Sequence, residues 1–360
     1  MRSEAHRVTE LEWVIKKLNK NNYLHCIYGD SMIRNIAWCV TLAMAAFIGS
    51  VAFAIAQDRL SNYPTKPVRI ITGSAPGAAV DFTARLAAQA LTASLGQSFI
   101  VEPRLGASGT IAGEYVAKSS PDGYVLGLGS MATLCVTPHL YARLGYDSLR
   151  DFAPVTIVAA GPFVIDVHPS LPVRNVKELI ALGQAHPGKI TFGTAGPGSV
   201  SHLGIEMLKS MAQVNFLHIP YKGVAPAMVS LLGGETTLLY DPVLTSLPHV
   251  KSGRLRAIAV GDAKRSALLP ELPTVAESGL PGFEASSWYG IVAPAATPRE
   301  VIARLHGALA SALGGKEVAQ RLLSQGMAPV LNTPEQFAEQ IKVDLPRWGK
   351  VIRTAGIKAE

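Results

Sequence analysis

Apolar residues recur along this chain with two periods. From Val68 onward, short β-branched runs alternate with longer stretches in which apolar positions return every three to four residues, the order of strands followed by helices. Val68–Thr72 predicts a strand, and 79–95 predicts a helix with Phe82, Leu86 and Ala90 on one face, closed by Gly96. Phe99–Val101 predicts a second strand, and Gly106–Gly113 a glycine-rich turn into a helix reaching Ser119. After the turn Pro121-Asp122-Gly123, the run Tyr124–Gly129 predicts a strand that delivers Ser130 at its C-terminal end. This βαβ order predicts an α/β fold with mainly parallel sheets and ligands at the strand C-termini.

The pattern then repeats. Val155–Ala160 reads as a strand passing into a second lobe, where Val164–Val167, Ile190–Gly193, Phe216–Ile219, Thr237–Tyr240 and Leu255–Val260 predict strands. Asn175–His186 and Met228–Leu232 predict helices, the latter stopped by Gly233-Gly234. Ser286–Pro294 predicts the return crossing, and 298–313, 316–325 and 334–354 predict helices. No low-complexity linker separates the halves, so two strand-like crossovers acting as a hinge are expected. The expected division is 57–160 plus 287–360 for lobe 1 and 161–286 for lobe 2.

Two turns share one grammar. Thr191–Gly204 is a buried strand running through Thr194-Ala195-Gly196-Pro197-Gly198-Ser199 into a helix whose first turn carries Ser199, Ser201 and His202. Ser74-Ala75-Pro76-Gly77-Ala78, followed by Asp81, opens the 79–95 helix in the same way. Such turns expose backbone N–H groups at the positive end of a helix dipole, which suits a carboxylate or phosphate. Two of them suggest two lobes facing one anion. Structural roles stay open beside this reading: His202 could donate to an anion, pack or cap, and Asp81 could hydrogen-bond the turn of its own helix. Tyr221-Lys222-Gly223 and Asp241 follow strands directly. Lys222 could pair with an acidic ligand or be a solvated loop residue, and Asp241 needs a defined partner if buried.

The N-terminus changes the expected location. Residues 36–56 carry no charge, follow Arg34 and end in Ala54-Ile55-Ala56, the order of a secretory signal with a small-residue cleavage site. Cleavage there, with a true start at Met32, leaves residues 57–360 in the periplasm; the alternative is a membrane anchor over 36–56, since about 20 apolar residues span a bilayer. Cys26 and Cys39 leave with the leader, so Cys135 alone remains and no intramolecular disulfide is expected.

Composition narrows the function classes. A net charge of +7, with 48% hydrophobic residues, describes a folded domain, and no basic run interleaved with aromatics points to nucleic acid. No G-x-S-x-G elbow occurs, and Gly183–Ile190 matches a phosphate loop except that Ile190 stands where Ser or Thr belongs. His139, His168, His186, His202, His218, His249 and His306 form no i, i+4 pair and one Cys remains, so no metal motif is expected, a site assembled from distant residues staying open; no cofactor is expected either.

Tyr63-Pro-Thr-Lys-Pro-Val-Arg69, Pro76–Arg85, Pro121–Tyr124, Asp151–Val155, Ile219–Gly223, Leu255–Val260, Leu272–Gly279 and Trp288-Tyr289-Gly290 together resemble the Bug (Bordetella uptake gene) family, extracytoplasmic receptors of tripartite tricarboxylate transporters. The resemblance runs in order through residues 63–356. It implies a type II periplasmic-binding-protein fold that closes on a small carboxylate and delivers it to membrane transporter subunits, as a non-enzymatic monomer. Position by position it implies ligand contacts at Ser74, Ala75, Pro76, Gly77, Ala78, Asp81, Ser130, Thr194, Ala195, Gly196, Gly198, Ser199, His202, Tyr221, Lys222, Gly223 and Asp241. Two departures matter. Ala78 stands where the family usually has a second glycine, and Pro103 where it usually has asparagine. Rival readings are a sensor that presents its closed form to a kinase, and an enzyme using His202, Lys222 and Asp241 as acid and base groups.

Overall fold

A computed structural model describes residues 62–74, 76 and 78–357; the expected leader over 1–56 and the candidate site residues Ala75 and Gly77 lie outside the described residues. In the first sheet are β1 (Val68–Thr72), β2 (Phe99–Pro103), β3 (Val125–Ser130), β4 (Phe152–Gly161), β10 (Ser287–Pro294) and β11 (Ala328–Pro329), in the order β11-β4-β10-β3-β1-β2. In the second are β5 (Phe163–Val167), β6 (Thr191–Thr194), β7 (Leu217–Pro220), β8 (Leu238–Pro242) and β9 (Arg256–Val260), in the order β7-β6-β8-β5-β9. β3 is buried at every position, as a strand covered on both faces must be.

The helices follow the expected alternation. α1 (Ala79–Leu95), α2 (Thr110–Ala117), α3 (Thr137–Leu140), α8 (Arg299–Leu313), α9 (Lys316–Ser324) and α10 (Pro334–Ala355) belong with the first sheet, and α1 packs on α8. α4 (Val176–Ala185), α5 (Val200–Ala212), α6 (Val224–Leu232) and α7 (Val243–Lys251) belong with the second. α10 begins with a capping box: Gln336 N–H donates to Thr333 Oγ1 (3.2 Å) and Thr333 N–H to Gln336 Oε1 (3.0 Å). A cap of this kind contributes about 1 kcal/mol.

The expectation of mainly parallel sheets needs correcting, because both sheets are mixed. β1 pairs in parallel with β2 and β3, and β6 with β7 and β8, as βαβ units require. The antiparallel pairs are β10 with β3 and β4, β11 with β4, and β5 with β8 and β9. Those of β5 and β10 arise where the chain changes sheet, since a strand that arrives from the other lobe enters from the opposite end.

That topology fixes where a site can form. β4 runs in the direction of β3 and leaves its sheet at Gly161, and β5 starts two residues later, antiparallel to β8. The crossover therefore joins the C-terminal edge of β1 and β3 to the C-terminal edge of β6 and β8. The return into β10 at Ser287 starts and ends on the same two edges. Turns that follow β1, β3, β6, β7 and β8 thus all lie on the edges the crossovers connect. One apolar cluster runs from Ile71 and Met131 through Trp288, Phe337 and Trp348 to Phe192, Tyr240 and Phe283, so the two sheets share a continuous core.

Candidate functional site

In the first sheet the turns after β1, β2 and β3 converge. A Cβ added to Gly73 would lie 2.6 Å from the Gly109 Cα, so the two backbones approach this closely only with glycine at 73. Ser130, at the end of β3, braces the π-helical turn Ala132–Val136: its N–H donates to Thr133 Oγ1 (3.0 Å), and the Thr133 N–H donates to Ser130 Oγ (3.2 Å). Ser74 N–H donates to Thr72 Oγ1 (3.3 Å). Ala78 is the extended residue preceding α1, which begins without a side-chain cap, and Pro76 is exposed. Asp81, in the first turn of α1, is buried and accepts from Arg85 Nε at 2.9 Å, so its carboxylate already serves its own helix.

In the second sheet the turn after β6 is braced almost throughout by its own side chains. Ala195 N–H donates to Ser201 Oγ (2.9 Å), Gly196 N–H to Thr194 Oγ1 (3.3 Å), and Gly198 N–H to His202 Nδ1 (3.2 Å). Ser199 caps α5 by accepting from His202 N–H (3.3 Å), while its hydroxyl donates to the Gly196 carbonyl (2.7 Å). Gly196 and Gly198 hold φ of 122° and 72°, where a Cβ would strain the turn. Serine, threonine and histidine crowded at a glycine turn take up backbone donors in this way. Fewer amides are thus free than the glycine content suggests. Those of Val200 and Ser201, in the first turn of α5, have no acceptor among the described residues.

His202 is 6% exposed and braces the turn from within. With Nδ1 accepting from Gly198, its proton sits on Nε2, 3.8 Å from Glu206 Oε1. Its ring stacks on His218, centroids 3.9 Å apart and 11° from parallel, and Phe192 extends the stack with its centroid 5.0 Å from that of His218. His218 Nε2 meets Thr194 Oγ1 at 2.7 Å. Burial, then His218, then Lys209 push His202 down to about 3; burial and Lys209 also lower His218. Both rings are neutral near pH 7. Nothing in the pattern around His218, a half-buried strand residue, marked it as part of the site.

Tyr221 N–H donates to the Thr194 carbonyl (3.0 Å), and its hydroxyl donates to Ser230 Oγ (2.5 Å). Thr194, Gly196, Tyr221, Lys222 and Gly223 therefore form one patch, with Lys222 exposed and Gly223 opening α6 without a side-chain cap. Asp241, at the end of β8, is 1% exposed and accepts from the Thr245 hydroxyl on α7. Burial pushes its carboxyl up to about 7, against the Thr245 bond. Asp166 accepts from Ser246 Oγ at 2.8 Å, and burial, reinforced by Asp241, raises it well above the usual range. Asp241 is thus tied to α7.

The turns on the connected edges bring the two halves close together. A Cβ on Gly198 would lie 2.9 Å from Leu140 Cδ1, and one on Gly326 would lie 2.3 Å from Leu244 Cβ. No helix among the described residues is long and apolar enough to cross a membrane, and no group of three His, Cys, Asp or Glu among them is placed to hold a metal.

Two α/β lobes joined by two crossovers, with uncapped or self-braced helix starts on the connected edges, define the two-lobe class of solute-binding proteins. The chain belongs to the tripartite tricarboxylate transporter family receptors, whose family model matches residues 83–357. It is 37% identical over 320 residues to the protein BugT of Bordetella pertussis (strain Tohama I), covering 88% of this chain and 98% of BugT. A UPF0065 protein from the tcbD-tcbE intergenic region of Pseudomonas sp. (strain P51) is 36% identical over 296 residues, covering 82% and 88%. Among solved structures, R. palustris Rpa4515 with adipate superposes with a TM-score of 0.68 at 36% identity, covering 82% of this chain and 99% of that one. The periplasmic binding protein BugD does so with 0.65 at 35% identity, covering 83% and 100%. MatC (Rpa3494) from Rhodopseudomonas palustris with bound malate gives 0.65 at 29% identity, covering 81% and 100%.

Proposed function

We propose that this chain is a periplasmic receptor that captures a small carboxylate between its lobes and passes it to the membrane subunits of a tripartite tricarboxylate-type transporter. The observation that carries the carboxylate reading is the Val200 and Ser201 amide pair, left without acceptors at a helix start on the edge that faces the other lobe. The uncapped start of α1 on the opposite edge offers a second anchor, and the adipate and malate in two related structures are ligands of the same class. In this reading 57–160 plus 287–360 and 161–286 move as bodies about the crossovers, closing on the ligand. The contacting residues are the backbone of 74–78 and the Val200 and Ser201 amides, with Lys222 as the exposed cation; Ser130, Ser199, Tyr221, Asp81 and Asp241 support these turns. A leader cleaved after Ala56 places the mature monomer in the periplasm, and the ligand leaves unchanged.

Each helix terminus contributes about 0.3–1 kcal/mol, up to about 2 where partly buried. Charge-assisted hydrogen bonds, at about 1.5–3 kcal/mol each, therefore supply most of the affinity. The test is calorimetry of the 57–360 protein against adipate, malate, citrate and matched neutral amides. One-to-one binding of at least one acid, recovered unaltered, is expected. Binding of amides but no acid would overturn the reading.

A further inference from the structure

The turn that presents the Val200 and Ser201 amides is soft by composition, with two glycines at positive φ. Its conformation is pinned at both ends by two stacked rings. One is His202, from within the segment, which accepts from Gly198 N–H. The other comes from the neighbouring strand: β7 runs parallel to β6 with His218 opposite Phe192, and Thr194 Oγ1, which His218 meets at 2.7 Å, itself accepts from Gly196 N–H. We propose that His218 is a positioning residue for ligand binding, which holds the Thr194 hydroxyl and, through its stack on His202, keeps the 194–202 turn in the form that offers its free amides to a ligand. This rests on the carboxylate reading above only for the identity of what the amides receive.

Charge explains why the pair is built this way. Two imidazolium rings 3.9 Å apart would repel, and the charged groups around them are Lys209, 5.3 Å from the Phe192 ring centre, and Glu206, which holds Lys209 at 2.6 Å. Neutral rings stack without that cost, and neutral His202 keeps Nδ1 as the acceptor Gly198 needs. Acidification that charges His202 turns Nδ1 into a donor and removes the acceptor Gly198 needs, and charging both rings adds their repulsion, so the turn loosens below the ordinary histidine range.

The test compares the wild type with His218→Phe, which keeps an aromatic stack and removes the bond to Thr194, Thr194→Val, which removes it from the other side, their double variant, and His218→Gln, which restores a polar partner. Hydrogen exchange of the 194–202 amides is followed in ligand-free protein, and calorimetric affinity is measured with adipate and malate. Loss of one hydrogen bond predicts about fivefold to tenfold faster exchange and a similar loss of affinity in His218→Phe and Thr194→Val. The double variant should be no worse than either single change, with partial recovery in His218→Gln. Wild-type exchange, corrected for its intrinsic rate, should rise on acidification, and His218→Phe, which keeps only His202 to charge, should show a smaller rise. Exchange within about twofold of wild type, or additive effects of the two changes, overturns the proposal. Thr194→Val decides it if His218→Phe does not fold. If neither acid binds the wild type, the carboxylate reading fails, while the exchange results still decide whether His218 fixes the turn.

Discussion

At the scale of single residues, the direction of each hydrogen bond decides which amides of the 194–202 turn are left for a ligand. Thr194, Ser199, Ser201 and His202 stand together in the sequence, yet only the fold shows that they occupy the amides of the turn they flank. His218 entered through parallel pairing of β6 with β7, a lateral contact that no spacing along one strand encodes. Asp241 was visible as a carboxylate ending an apolar run, and its burial gives it a measurable consequence. Its folded pKa is raised from 3.8 to about 7, so the folded state holds this proton more tightly than the unfolded chain. That contribution is fully present below 3.8 and is lost as pH rises to about 7. Asp241→Asn should flatten the melting-temperature profile across this window and melt higher than wild type at pH 8, leaving the shares due to Asp166 and Asp262, both also raised by burial. Parallel profiles for the two proteins would contradict this.

At the scale of elements, strands and long helices were legible because apolar residues fall at periods of two and 3.6, and glycines stop them. Four pieces were not: the short elements α3 and β11, α7, and the π-helical turn after β3. α7 contains Pro248 and only a weak apolar stripe, and its first residues abut the β8 strand end, where Asp241 needs a partner. The π-helical turn Ala132–Val136 has no cap or break, and it is set by Ser130 and Thr133 beneath α10. α10 itself was predicted, but its role was not: Asp344, buried on its inner face, accepts from Trp288 Nε1 (2.7 Å) and Gln340 Nε2 (3.0 Å) and pairs with Arg347. Removing one member of such a buried network strands the others, so Asp344→Ala should cost about 3 kcal/mol in denaturant unfolding. Asp344→Asn, which keeps the shape and part of the bonding, should cost less. Equal losses for the two variants would show that the charge, rather than the network, carries the effect.

At the scale of the whole molecule, two lobes with two crossovers followed from the repeated βαβ order, while the mixed sheets followed from where those crossovers enter, which only the pairing reveals. The structure adds a third connection. α10 packs on β4 of the first sheet and on α5 beneath the second, and Arg347 on α10 reaches Glu284, just before the return crossover, at 3.2 Å. Tyr240 fixes the same crossover by donating its hydroxyl to the Ala285 carbonyl (2.5 Å). Rotation about the two strands must therefore slide α10 against α5, and an apolar contact tolerates small shear better than an ion pair tolerates separation. The Arg347–Glu284 pair is partly solvent-exposed and is worth about 0–1 kcal/mol, too little to set the closure equilibrium alone. Saturating carboxylate should lower the radius of gyration measured by X-ray scattering in the wild type, and Glu284→Gln should do the same with affinity changed by no more than about fivefold. A radius that does not move on ligand saturation would mean that binding needs no closure. A loss of affinity far beyond fivefold in Glu284→Gln would move the control of closure from the α10–α5 contact to the ion pair.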